Sequence, residues 1–482
     1  MNIDTISLDR TSRESLSSQF ARQLRSAITS GSIKSGQRLP SSRSSAEAHG
    51  ISRNTVADAY AQLISESFAV SRPGSGTYVA QGLASTVSVV DAAPPNGPPQ
   101  LSRRGEAMVQ ASPPVDPLTR RPVLAPGVPA TDLFPRESWA RAIARGGRLA
   151  AGRDVEDDPL GWRPLRMAIA DHIGPSRAVA CHPDRIMIFD GARSAIELML
   201  KLLTDPGDRA WLEDPGYTEA RHVISHNGVE VVPVPCDAEG LIVEHGERAA
   251  PNARMAYVTP AHQYPSGVIM SARRRMDLLA WAERSGAWII EDDYDGEFRH
   301  RGSPTATLAS IDRSHRVIHM GTFSKSMFPA LRLAYLVLPP ALVDPAASLR
   351  FAMSGHTGVT AQRGLAEFIV SGQFASHVRA MRKVYGERQQ ALLTALDQHF
   401  RDRLKVGPDD TGLHITGEFT APVAQAKLAA ALKQSGVGAN PLSAYFADPQ
   451  GGAAGLVMGY AGWPEKALAK GVRLLAGALA ET

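Results

Sequence analysis

The residues best suited to chemistry stand in the second half of the chain. Glu291-Asp-Asp-Tyr-Asp295 puts four carboxylates and a phenol at the end of an apolar run. Thirty-three residues after Asp292 comes Lys325, inside Gly321-Thr-Phe-Ser-Lys, and Arg332 follows seven residues later. A lysine beside a dry strand end can condense with an aldehyde. A carboxylate can keep a pyridine nitrogen protonated, a phenol can hydrogen-bond a ring oxygen, and an arginine, hydroxyls and a helix N-terminus can hold a phosphate. Together these are the requirements of pyridoxal 5′-phosphate. Singly, each piece has a plainer reading, since acidic strand ends usually face solvent and GTFSK can be an ordinary loop. The order and spacing of the whole set point to the cofactor.

A second group lies near the N-terminus. Ser52, Arg53, Asn54 and Thr55 open a helical stretch, where an arginine can grip guanine and an asparagine adenine through paired hydrogen bonds. Arg43 is expected just before the preceding helix, within reach of a phosphate or base edge. Gly74, Ser75 and Gly76 make a small tip able to approach a sugar-phosphate backbone closely. Charge permits this reading without demonstrating it: 52 Lys+Arg against 48 Asp+Glu give +4, and residues 1–82 hold nine basic and six acidic side chains. Alone, Ser-Arg-Asn-Thr is also a plain N-capped helix start.

These two groups need two scaffolds. A length of 482 residues exceeds one ordinary domain, and 43% hydrophobic with 21% charged residues fits a soluble chain with a sizeable core. No apolar run is long enough to span a membrane, and MNIDTISLDR lacks the apolar stretch of a signal peptide. Cys181 and Cys236 supply neither a disulfide framework nor metal-ligand spacing, so a cytoplasmic protein is expected. Ten of the 34 prolines fall between Gly82 and Ala130, which reads as an extended linker over 82–131.

Before that linker, Leu16, Phe20, Leu24 and Ile28 share one helix face. A short helix over Ser44–His49, a turn at Gly50, a helix carrying Val56, Tyr60, Leu63 and Ile64, and two strands around Arg72-Pro-Gly-Ser-Gly complete a winged helix-turn-helix over 10–81. Beyond it, apolar strands at Arg185–Phe189, Ala210–Glu213, Val229–Val234, Met255–Thr259, Ala287–Glu291, Val317–Met320 and Leu333–Leu338 alternate with helices. That alternation predicts an α/β domain with a largely parallel, doubly covered sheet over 132–482. Phe374 to Phe400 reads as a long helix, and the tail from Leu413 as a small α+β subdomain, with two helices alone as the alternative.

Residues 16–79, through LPSSR at 39–43, SRNTV at 52–56 and GSGTYV at 74–79, closely resemble the GntR superfamily of bacterial regulators. Ser45 and His49 stand where that family usually has core leucines, which predicts looser packing. EDPGY (213–217), TPAHQYPSG (259–267), IIEDDYDGEFR (289–299) and GTFSKSMFPALRLAYLV (321–337) make residues 132–482 similar to a fold-type I aminotransferase. The combination resembles the MocR/PdxR/GabR-type regulators. That resemblance implies Lys325 as the lysine joined to the cofactor, Asp292 as partner of the pyridine nitrogen and Tyr294 as donor to the ring oxygen. It implies Tyr217 stacked on the ring, with Gly191, Ala192, Arg193, Thr322, Ser324 and Arg332 around the phosphate. Tyr264 replaces the asparagine that the enzymes carry before the proline of this motif. Glu156 stands where they have a phosphate-binding tyrosine, Val457 where they have the substrate-carboxylate arginine, and Ala444 where GabR-like members have an anchoring one.

The expected function is a regulator binding an operator in double-stranded DNA and sensing pyridoxal 5′-phosphate or its adduct with a small amine or amino acid. A homodimer away from membranes is expected, with no catalytic turnover and no metal. A working aminotransferase with a DNA-binding head, and a cofactor-free dimerisation scaffold, are the alternatives.

Overall fold

Serines start all three described helices of the N-terminal unit. Ser15, Ser41 and Ser52 each accept a hydrogen bond from the backbone N–H three residues on, capping α1 (Leu16–Thr29), α2 (Ser42–His49) and α3 (Arg53–Ser65). Gly50 ends α2 in the left-handed region at φ 62°, where a side chain would be strained. Strands β1 (Ala69–Arg72) and β2 (Gly76–Val79) pair antiparallel, Ala69 opposite Val79 and Arg72 opposite Gly76. Phe20, Leu24, Val56 and Leu63 fill the core. The computed structural model describes residues 6–12, 14–81, 101–111, 121–149, 158–179, 181–299, 306–407 and 411–481. The chain divides into two compact units, Met1–Ser102 and Arg103–Thr482, called the head and the body below.

The looseness expected at Ser45 and His49 is compensated by hydrogen bonding at Ser45 alone. Ser45 is buried with its hydroxyl 3.0 Å from that of Tyr60, which donates onward to the Pro40 carbonyl at 2.9 Å. The His49 ring meets Phe20 edge-on at 5.1 Å. Polar burial is thus matched by a hydrogen bond at Ser45, whereas His49 gains a ring contact and leaves its buried Nε2 without a partner. Arg43 is not before α2 but inside its first turn, because Ser41 takes the capping position.

In the body, β3 (Ile186–Phe189), β4 (Arg209–Asp214), β5 (Glu230–Asp237), β6 (Gly240–Leu241), β7 (Met255–Val258), β8 (Trp288–Asp293), β9 (Val317–Thr322) and β10 (Ala334–Val337) form one sheet. Its order is β3-β10-β9-β8-β7-β4-β5-β6. Neighbours from β5 through β4, β7 and β8 to β9 are parallel, whereas β10 runs against both β9 and β3. Strands β3, β7 and β10 are buried at every position, as a sheet covered on both faces requires.

Four helices precede or flank the first of these strands: α4 (Arg103–Ala111), α5 (Arg136–Leu149), α6 (Arg163–Arg177) and α7 (Ala192–Leu203). Ile196 and Met199 of α7 pack on one face of the sheet, and Leu278 and Trp281 of the helix Ala272–Ser285 on the other. There Trp281 stacks on Trp211 with ring centroids 3.7 Å apart. Helix α4 and the fully buried Leu124 both fall within the stretch read as an extended linker. The window 103–111 contains no proline, so nothing local opposes a helix there. Positions 82–100 and 112–120 of that stretch lie outside the described residues.

The long helix appears over Gln373–Phe400. After it, β11 (Leu404–Val406), β12 (His414–Phe419), β13 (Asn440–Pro441) and β14 (Gly455–Gly459) make an antiparallel sheet in the order β11-β12-β14-β13. With the helices Gln425–Ser435 and Glu465–Glu481 this is the α+β tail, not two helices alone.

Candidate functional site

The carboxyl ends of parallel strands and the loops after them surround a cavity of about 550 Å³. Its wall includes Gly191, Ala192, Arg193, Tyr217, Tyr264, Asp292, Tyr294, Thr322, Ser324, Lys325 and Arg332, so all eleven positions expected around a cofactor meet in one place. Open α/β sheets place ligands at such an edge because the strand ends leave a crevice there.

Three consecutive buried carboxylates end β8, and their partners separate their roles. Glu291 accepts from the backbone N–H groups of Leu308 at 2.6 Å and Ala309 at 3.0 Å and lies 3.2 Å from His319 Nδ1. Asp293 is paired with the Arg177 guanidinium. Asp292, on the opposite face of the strand, accepts from the Tyr257 hydroxyl through Oδ2, and its buried Oδ1 has no partner. Among the described residues no cation stands within ion-pair distance of it. Burial raises its pKa to about 7, against the Tyr257 hydrogen bond and helped by the nearby charges of Asp293 and Asp295. A buried carboxylate lining a cavity without a counter-charge suits a protonated ring nitrogen. The Asp-x-Tyr pattern selected Asp292, and the physical reason is that Arg177 and His319 occupy its neighbours.

Lys325 presents its amine to the same cavity and donates to the Gly127 carbonyl at 3.0 Å. Burial lowers its pKa to about 8, the charge of Arg121 adds to the effect, and Asp295 and Asp292 oppose it. At another end of the cavity, Gly191 caps α7 with φ 108°, and a Cβ there would lie 3.2 Å from the Arg332 guanidinium. The free N–H groups of a helix start beside an arginine and the hydroxyls of Thr322 and Ser324 make an anion cradle. Arg193 is tied to Glu219 at 2.8 Å, which engages its charge. The Tyr217 ring faces those of Tyr257, at 6.4 Å, and Tyr264, at 5.9 Å.

Several contributors were not singled out from sequence. Tyr257, in an otherwise apolar strand, bonds Asp292. The Tyr294 hydroxyl lies 2.9 Å from His262 Nδ1, itself 2.8 Å from Asp295 Oδ2, and burial raises the phenol's pKa. His414, whose pKa burial lowers to about 3, bonds the Pro265 carbonyl at 3.1 Å. His262, Asp295 and His414 bring ligand-capable atoms within 4.8 Å of one another, but these hydrogen bonds already engage Nδ1 of His262 and Nε2 of His414. Val457 is buried in β14 with Leu442 and Tyr445, and Ala444 is exposed. The C-terminal subdomain gives the cavity Leu413, His414, Gly438, Asn440 and Tyr445, and no arginine. Glu156 lies outside the described residues.

In the head, the expected DNA-contacting residues share an exposed surface. Ser52, Arg53 and Asn54 are exposed at the start of α3, Thr55 is half-buried, and Arg43 is exposed on α2. Arg53 Nε donates to Ser42 Oγ at 3.3 Å, linking the two helices. Gly74 takes φ 71° at the exposed tip of the hairpin. Arg72 lies 4.5 Å over the Tyr78 ring, and Arg38 stands beside Gly76. These two arginines add positive charge to the wing and were signalled only by sequence proximity.

A helix-turn-helix head joined to an aminotransferase-like body defines a class of bacterial regulators. Residues 16–79 match the gntR family of bacterial regulatory proteins, and residues 124–450 match aminotransferase class I and II. The probable rhizopine catabolism regulatory protein MocR of Rhizobium meliloti is 36% identical over 479 residues, covering 98% of this chain and 95% of that protein. The pyridoxine biosynthesis transcriptional regulator PdxR of Corynebacterium glutamicum is 31% identical, covering 96% of each. Among solved structures, Thermus thermophilus LysN, an alpha-aminoadipate aminotransferase complexed with N-(5'-phosphopyridoxyl)-L-leucine, matches with a TM-score of 0.67. It is 26% identical, over 79% of this chain and 95% of LysN. The chain belongs to the MocR-type branch of the GntR family of transcriptional regulators.

Proposed function

We propose that this regulator uses pyridoxal 5′-phosphate, alone or with a small amine, to change how its head engages an operator. The observation that carries the reading is the convergence of eleven expected residues on one cavity, in a chain whose head presents Arg43, Arg53 and Asn54 to solvent. The cavity fits the cofactor on its own terms. Asp292 Oδ1 is buried without a partner, and Gly191 leaves room that a Cβ would take from Arg332.

When bound, the cofactor supplies an aldehyde that a lysine amine can hold covalently. Lys325 is the residue for that linkage, and its lowered pKa keeps more of the amine in the nucleophilic form at neutral pH. Asp292 would hold a proton on the ring nitrogen and Tyr294 would donate to the ring oxygen, with the His262–Asp295 pair fixing the phenol's position. The start of α7, Arg332, Thr322 and Ser324 would bind the phosphate, and Tyr217 would cover a ring face.

The same reading assigns base contacts to Arg53 and Asn54, backbone or base contacts to Arg43, Ser52 and Thr55, and a close backbone approach to Gly74. It divides the chain into a DNA-binding head over 10–81, a linker, and an effector body that dimerises, in the cytoplasm. PdxR's name ties a relative to pyridoxine biosynthesis, in keeping with this cofactor as signal. Regulation without turnover is the first reading because the relatives are regulators by name and the C-terminal wall of the cavity gives it no arginine for a substrate carboxylate. The lowered pKa of the Lys325 amine favours transamination as the second reading, and assays with amino-acid and keto-acid pairs measure it.

The decisive experiment is an operator titration with and without pyridoxal 5′-phosphate at fixed salt, since phosphate contacts make affinity salt-dependent. A change in affinity or in the pattern of protection supports the reading. An unchanged titration of a protein that visibly carries the cofactor overturns it.

A further inference from the structure

The cavity carries one charge that the cofactor does not need. Of its cationic lining residues, Arg332 stands at the phosphate cradle, Arg193 is held by Glu219, and Lys325 is the linking lysine. The fourth is Arg121, which is exposed, and no carboxylate among the described residues lies within ion-pair distance of it. It begins the segment Arg121–Gly127, which forms a wall of the cavity and meets Lys325 directly through the Gly127 carbonyl. Its charge acts on both the Lys325 amine and the Tyr264 phenol. Tyr264 in turn belongs to a polar chain: its hydroxyl lies 3.1 Å from that of Tyr445, to which the Asn440 amide donates at 2.8 Å.

We propose that Arg121 anchors the carboxylate of an amine ligand whose amino group lies towards Lys325. The proposal rests on the reading of Lys325 as the cofactor lysine and deepens it by naming the ligand class. A guanidinium suits a carboxylate because its planar donors match the two oxygens. Val457 and Ala444, where the resemblance implies an anchoring arginine, are apolar here, and Arg121 is the lining cation that neither the cofactor reading nor an ion pair among the described residues engages. Tyr264, Tyr445 and Asn440 add hydroxyl and amide groups on the same wall. A volume of about 550 Å³ lies within the range of small-molecule pockets.

The test uses the full chain loaded with pyridoxal 5′-phosphate and followed by its visible absorbance. Wild type, Arg121→Gln and Arg121→Lys are titrated with two matched pairs: L-alanine against ethylamine, and 5-aminopentanoate against pentylamine. Wild type is expected to bind at least one carboxylate-bearing member about tenfold more tightly than its partner, the scale of one charge-assisted hydrogen-bonding site. Arg121→Gln removes most of that preference while the covalent cofactor band still forms, and Arg121→Lys keeps part of the preference. A preference that survives in Arg121→Gln, or is missing from wild type in both pairs, overturns the proposal. Failure of wild type to develop any visible band would instead sink the cofactor reading, and this proposal with it.

Discussion

In the head, Arg43, Arg53, Asn54 and Gly74 stand in solvent and are held by little more than helix caps and a hairpin. In the body, Asp292, His262 and Asp295 are buried, and each is oriented by another side chain. The difference follows from the ligands each region would take. A duplex brings its own shape and charge to an exposed surface, so the head's side chains can wait there hydrated. A small cofactor must be met by groups already desolvated and aimed, and the body bears that burden through shifted pKa values and buried ion pairs. Substitutions should therefore act locally and moderately in the head, and either on the cofactor signal or on the fold in the body.

The sharpest way to break this contrast is Lys325→Ala. The amine makes one hydrogen bond, to Gly127, so the cofactor-free chain should keep its melting temperature while the covalent absorbance disappears completely. The cofactor should still bind, more weakly, through Arg332, Thr322, Asp292 and Tyr217. Spectra of both proteins with added pyridoxal 5′-phosphate check this, and a retained covalent band would assign the linkage to another lysine. Operator titrations of the pair then show whether the linkage is part of the signal, since only a difference in affinity between two conformations can move the DNA equilibrium.

Arg177→Met tests whether the body's order depends on buried charge. Asp293 and Glu297 would lose their common cation, and breaking a buried pair costs about 3–5 kcal/mol. Denaturant unfolding followed by a body tryptophan should move by this amount, with the head unaffected. A shift under about 1 kcal/mol, the worth of a surface pair, would place this cluster among dispensable ones.

Arg53→Ala makes the complementary test in the head. Specific operator binding should weaken by about 1–3 kcal/mol, the range for one paired base contact, with no change in melting temperature or cofactor spectrum. Equal weakening on random DNA would assign Arg53 to a phosphate instead.

The smallest expected effect concerns pH. Burial pushes the His319 pKa down, but the hydrogen bond and charge of Glu291 outweigh it and leave the value raised. A raised folded-state value stabilises fully below the unfolded pKa and fades as pH climbs through the folded one. The gap in melting temperature between wild type and His319→Gln should therefore be wider near about pH 6 than near about pH 9. A gap that widens with pH would mean His319 is neutral when folded.

How far the sequence reached depended on whether a feature was local. The Ser52 cap, the apolar strands and the Asp292 to Lys325 spacing are local patterns that located elements and suggested the cofactor chemistry, while the full set of eleven cavity positions came from the resemblance of the motifs to a known family. Contacts made by folding were out of reach. Tyr257 meets Asp292 across neighbouring strands, Gly127 meets Lys325 from 198 residues away, and Arg121 reads as linker until Leu124 is seen in the core. Polar patterns alone also misjudged the head: Ser45 looked like a defect until Tyr60 supplied its partner. Arg43 shifted into α2 because the run Ser41-Ser-Arg-Ser44 offers serines for a cap on both sides of it, and the cap falls on Ser41.

Gly191 and Arg332 carry a lesson about how such a cavity is inherited. Both hold positive φ, at 108° and 55°, and a side chain on the first would press against the guanidinium of the second. A side chain at Gly191 is opposed both by its φ and by the Arg332 guanidinium. If the proposed phosphate cradle is their common task, the two positions, 141 residues apart in the chain, are expected to be kept or lost together.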